Sequence, residues 1–170
     1  MLRTLRQVIK VGVVSERAAR PAGERPKESD LRAQLHQRFG RALGIRHVDA
    51  GSCNGCELEI HAVNNPYYNL EGFGIKFVAS PRHADLLLVT GPVSRHMESA
   101  LKRVYDATPD PKWVIAVGDC GCTGGIFGSG YAIRGSVADI IPVDLTVPGC
   151  PPPPAAILSG IVSVVTTDRR

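Results

Sequence analysis

Aromatic side chains are scarce in this chain, 5% of 170 residues. That scarcity argues against a surface built to stack nucleic-acid bases, and no nucleic-acid partner is expected. Long apolar runs are missing too. No stretch approaches the ~18–20 apolar residues that a membrane-crossing helix needs. No secretory apolar core follows the first charges, because Arg6 and Lys10 interrupt it. The cysteine count is odd, five, in a sequence without an export signal. A disulfide framework is therefore disfavoured, and metal or redox chemistry is favoured. The glycine-rich stretch 118–130 lacks the Gly-Lys-Ser/Thr ending of a phosphate loop. His47, His61, His83 and His96 show no metal-ligand spacing and read as surface or packing residues. No Ser-His-Asp or Cys-His set is visible, so the chain is expected to lack a catalytic centre of its own.

What is present fits an ordinary globular protein, with 44% apolar and 21% charged residues. The net charge of +4 conceals an asymmetry. Residues 1–48 carry 11 Lys/Arg against 4 Asp/Glu, whereas residues 49–170 carry 9 against 12. A basic arm thus precedes a mildly acidic body. Within the arm, Leu2, Leu5, Val8 and Ile9 recur at helical spacing, with Arg3, Arg6 and Lys10 on other faces. Such a segment suits an anionic membrane surface or a partner subunit. An Arg-rich start is also the composition of a mitochondrial transit peptide, but a cytosolic or membrane-peripheral location is the favoured expectation.

Two units are expected: a basic amphipathic arm and helix over 1–44, and an α/β domain over 45–170. A Pro- and Gly-containing linker, 16–27, leads to a helix capped by Ser29 or Asp30. Leu31, Leu35, Phe39 and Leu43 mark its face, and Gly44 its stop. Strands are predicted over 45–50, 74–79, 86–90, 113–117 and 140–147. Helices are predicted over 57–64, around Met97–Tyr105, and over 153–165. This alternation implies a mainly parallel sheet with helices on both faces.

Four cysteines fall just beyond predicted strand ends. Cys53 and Cys56 follow the strand ending at Ala50; Cys120 and Cys150 each lie three residues after one. Open parallel sheets build their sites outside the carboxyl ends of the strands. Three loops would therefore deliver four thiols to one edge. A Cys-x-x-Cys pair alone is shared by zinc sites, redox dithiols and iron–sulfur sites. Zinc ribbons use two tight pairs, and here the other thiols are isolated; zinc stays open as the main rival. Cys150-Pro151 matches the Cys-Pro ending of bacterial cluster motifs, and glycines crowd Cys120, where backbone N–H groups can face sulfur. Iron–sulfur is the favoured reading. Cys122 reads as a small, partly buried side chain without a role, with ligand exchange as its alternative.

Ser52-Cys53-Asn54-Gly55-Cys56-Glu57, Gly118-Asp119-Cys120 and Val147-Pro148-Gly149-Cys150-Pro151-Pro152 together carry a resemblance. They are similar to the small-subunit family of NiFe hydrogenases, which includes the 20 kDa subunit of respiratory complex I (NADH-quinone oxidoreductase). The complex I member usually has adjacent cysteines at the first position, whereas this chain has Cys-x-x-Cys. Uptake hydrogenases carry a further cysteine-rich domain, and none follows Cys150 here. The chain therefore most resembles the small subunit of membrane-bound group 4 hydrogenases, of the formate hydrogenlyase and hydrogenase-4 types. The resemblance implies a flavodoxin-like fold and one [4Fe–4S] cluster held by Cys53, Cys56, Cys120 and Cys150. It further implies a large-subunit partner with a NiFe or quinone site, a polyferredoxin-like iron–sulfur subunit, and membrane arm subunits on the cytoplasmic side of the membrane. Cys122 departs from the family motif.

Overall fold

The computed structural model describes Arg6, Ile9, Lys10 and residues 28–166. The linker and most of the basic amphipathic segment lie outside the described residues; Arg6, Ile9 and Lys10 are helical and exposed.

Helix α1 (Glu28–Phe39) precedes strand β1 (Leu43–Asp49). Helix α2 (Gly55–Val63), β2 (Ile75–Phe77), β3 (Leu86–Thr90), β4 (Val93–Ser94) and α3 (Arg95–Ala107) follow. The chain then forms β5 (Trp113–Val117), the short α4 (Gly118–Thr123), β6 (Ile133–Gly135), β7 (Leu145–Val147) and α5 (Pro154–Thr166). Five strands make one sheet in the order β2-β1-β3-β5-β7, and every neighbouring pair is parallel. With the β4–β6 ribbon set aside, this is the 2-1-3-4-5 order of flavodoxin-like folds.

Strands β3 and β5 are buried at every position, as expected of sheet centres covered on both faces. Their side chains alternate between two cores. Leu86, Leu88, Ile115 and Val117 join Ile60 and Val63 of α2, Ile157 and Ile161 of α5, and Leu35 of α1. Leu87, Val89, Val114 and Ala116 face Leu101 of α3, together with Val137 and Ile141.

Two aspartates clip the sheet beyond its ladders. Asp85 donates its N–H to Gly44 O, and its Oδ2 accepts from Gly44 N, both at 2.8 Å. Arg41 closes on the same carboxylate at 2.7 and 3.0 Å. Asp144 does the same to Val114, donating its N–H at 2.9 Å and accepting at 2.7 Å.

Several expectations are corrected. The first helix ends at Phe39, with Gly40 at φ 66°, and Leu43 opens β1. Leu43 fits the helical spacing by coincidence, and sheet pairing claims it. Gly44 is not a helix stop but a strand residue, where a Cβ would collide with the carbonyl oxygen of His83. The strand expected over 140–147 shrinks to Leu145–Val147. Ile140 and Ile141 instead close a 3-10 turn onto Val137 O and pack on the α3 side of the sheet, while Pro142 lacks the N–H a ladder needs. The second strand shortens to Ile75–Phe77, and the β4–β6 ribbon was not expected.

Candidate metal centre

Each cysteine of interest lies just past the carboxyl end of a strand. The β1–α2 loop carries Cys53 and leads into Cys56 in the first turn of α2. Asp49 Oδ1 organises this loop by accepting from both Gly51 N and Ser52 N at 2.8 Å. Cys120 sits in α4, directly after β5, and Cys150 follows β7. Cys53 and Cys150 are exposed, and Cys56 and Cys120 are partly buried.

The three loops touch. Gly118 takes φ 83°, and a Cβ there would stand 2.5 Å from Cys56 Sγ and 3.5 Å from Gly149 O. A Cβ at Gly125 would stand 2.8 Å from Cys120 Sγ. One at Gly55 would lie 3.6 Å from Cys53 Sγ and 3.9 Å from the Pro151 ring. Gly118 and Gly125 thus bring backbone against the Cys56 and Cys120 sulfurs at distances that only glycine allows, whereas the Gly55 contacts are ordinary ones.

The thiols also sense one another electrostatically. The Cys56 thiol is pushed up to about 12, first by burial and then by Glu57, Cys53, Cys120 and Cys150. Cys120 is raised by burial, then by Cys150, Cys53 and Asp119. Deprotonated together, these sulfurs would repel, and bound iron or another cation would relieve that repulsion. Soft sulfur donors in a glycine cradle fit an iron–sulfur group. Among the described residues, no three of His, Cys, Asp or Glu are grouped to hold a single metal ion.

Cys122 stands apart. Its Sγ donates to Ala116 O at 3.6 Å, turned towards the strand backbone. Burial raises it, a backbone hydrogen bond with Val147 offsets this, and Asp119 adds to the rise. It is absent from the charges acting on Cys56 and Cys120.

Beside the cysteines lies a buried polar group. Glu57 is buried, and neither carboxylate oxygen has a hydrogen-bond partner among the described residues. His47 Nε2 is 3.6 Å from Glu57 Oε1 and 3.1 Å from Thr90 Oγ1. Burial lowers the His47 imidazole, against the opposing pull of Glu57. Glu57 follows the first cysteine pair directly and shares its inward phase on α2 with Ile60.

Residues 53–164 match the family of the NADH ubiquinone oxidoreductase 20 Kd subunit. The chain belongs to this family. It is therefore a subunit type of oxidoreductase complexes, and relatives bear that out. The chain is 50% identical over 139 residues to a probable membrane-bound hydrogenase subunit of Pyrococcus furiosus, spanning 82% of this chain and 83% of the relative. It is 48% identical over 132 residues to formate hydrogenlyase subunit 7 of Escherichia coli, spanning 78% of this chain and 52% of that protein. A similar solved chain belongs to the membrane-bound sulfane sulfur reductase, an archaeal respiratory membrane complex. It shows a TM-score of 0.65 and 32% identity, over 83% of this chain and 75% of the other. The flavodoxin-like α/β expectation and the family resemblance both hold.

Proposed function

We propose that this family member is the electron-transfer subunit of a membrane-associated oxidoreductase complex, of the membrane-bound hydrogenase and formate hydrogenlyase type. It carries one [4Fe–4S] cluster, with Cys53, Cys56, Cys120 and Cys150 as ligands. The observation that supports this most is the meeting of three loops at one sheet edge, with glycine backbone drawn against Cys56 and Cys120. The bound cluster supplies one-electron relay. The chain's own residues supply the thiolates, the close backbone and a partly buried setting.

The chemistry belongs to neighbours. Leu58, two residues beyond Cys56, is exposed, as are Ile126, Phe127 and Tyr131 in the loop after Cys120. Apolar groups flanking the cysteines on both loops favour a large subunit seated over this edge. That subunit holds the NiFe or quinone site, and a polyferredoxin-like subunit exchanges electrons with the cluster. No described helix is long and apolar enough to cross a membrane. The basic segment 1–14 would meet membrane arm subunits, on the cytoplasmic side. A second reading, delivery of electrons to quinone or to sulfane sulfur, draws on the family description and on the complex of the similar solved chain.

Anaerobic purification with metal analysis and EPR tests the cluster. Iron and sulfide with a reducible signal are expected, and zinc without iron would overturn the reading. Cys120→Ser should lose most of that signal and Cys122→Ser should retain it; equal loss would reject the ligand set. Two Cys-x-x-Cys motifs in the neighbouring large-subunit sequence would support nickel, and their absence the second reading.

A further inference from the structure

The residue before Cys120 grips the residue before Cys150. Asp119 donates its backbone N–H to Gly149 O at 2.9 Å, and its Oδ1 accepts from Gly149 N at 2.7 Å. The last ladder pair of these strands is Val117↔Val147. Two residues farther on, a side-chain carboxylate replaces the carbonyl that a strand would have presented. Gly149 lies at φ 138°, where an added Cβ would stand 2.6 Å from Pro152 Cα, so only glycine fits within this grip. Asp119 is held in turn by Thr123, whose hydroxyl donates to its carbonyl at 3.0 Å.

We infer that Asp119 is a positioning residue, which fixes the Cys120 and Cys150 loops to each other and sets a negative charge beside the cluster they hold. This rests on the cluster reading above. Asp85 and Asp144 make the same two-bond clip at the amino edge of the sheet, where no cysteine lies. The clip itself is thus a general device of this fold, and only Asp119 has been placed between ligand loops. A fixed anion near a cluster favours the oxidised state and lowers the reduction potential.

The test uses the full chain, anaerobically loaded with iron and sulfide, with Asp144 as the matched control. Asp119→Asn keeps an acceptor oxygen for Gly149 N but removes the charge. It should load iron normally while its midpoint potential rises, by up to about 59 mV for a tenfold change in a one-electron equilibrium. Asp119→Ala removes the side-chain half of the clip and should lose at least half of the bound iron and broaden the EPR signal. Asp144→Asn should keep both the potential and the spectrum of the unmodified chain. If Asp119→Asn leaves the potential unmoved, or Asp119→Ala keeps its full iron and its spectrum, while the unmodified chain holds its cluster, the inference is overturned and the cluster reading stands. If the unmodified chain takes up no cluster, both fall. Should Asp119→Ala fail to fold, the potential of Asp119→Asn decides alone.

Discussion

Gly118→Ala tests the contact between the β5 loop and Cys56. The added methyl has two effects. At φ 83° it strains the backbone, at about 1–2 kcal/mol for a side chain in the left-handed region. It also stands 2.5 Å from Cys56 Sγ, where ordinary contact begins at 3.4 Å. The sulfur must therefore retreat by about 1 Å, twice the ~0.5 Å tolerance within which a functional constellation is held. Gly40→Ala isolates the first effect, because Gly40 has φ 66° and no atom within 4 Å of its added Cβ. In a domain of this size 1 kcal/mol moves the melting temperature by about 2–4 °C. Gly40→Ala should thus melt roughly 2–8 °C lower and load iron in full. Gly118→Ala should melt lower still and retain little cluster, read by thermal unfolding of the apo chain and by iron content after anaerobic loading. Equal melting of the two variants, with full iron in both, would refute the cradle.

Two more outcomes follow from buried charge. Asp85→Ala strips the Gly44 N–H of its side-chain acceptor and should cost about 1–3 kcal/mol in urea unfolding. Arg41→Ala should cost no more than about 1 kcal/mol, because the Arg41 side chain is 52% exposed. A larger loss from Arg41 than from Asp85 would show that the ion pair, not the clip, matters. His47 is lowered chiefly by burial, with Glu57 and Asp49 opposing and Arg46 and His61 adding to the fall. Its folded form takes up a proton at lower pH than the unfolded chain, whose ordinary value is 6.5. Stability is then complete above that value and declines as pH drops from it towards the lowered folded value. Melting of the apo chain should follow that slope, and His47→Gln should flatten it; an unchanged slope would remove His47 as its cause.

Much of the sheet is legible in the amino-acid sequence. The runs 86–90 and 113–117 appear as strands with the expected limits, because central strands covered on both faces need unbroken apolar residues. The placement of four cysteines beyond strand ends was legible for the same reason: chain order and strand polarity together say which edge a loop occupies. Leu43 was misread because one residue can satisfy a helical spacing and a strand at once, and pairing with Ile75 decides between them. The β4–β6 ribbon left no local trace, since its two strands are two and three residues long and pair across a long stretch of chain.

The amino-acid sequence by itself determined the apolar alternation, the polarity of the strands and the spacing of the thiols, all of which are short-range properties of the chain. Only the tertiary structure decided that Cys122 turns towards the strand backbone, that Glu57 is buried beside His47, and that Asp119 closes on Gly149. These depend on pairs that approach after the sheet has closed, such as Asp119 and Gly149, 30 residues apart. A carboxylate that clips two loops has the same identity and local pattern as one that faces water. What separates them is whether a backbone N–H from another part of the chain lies within hydrogen-bonding reach.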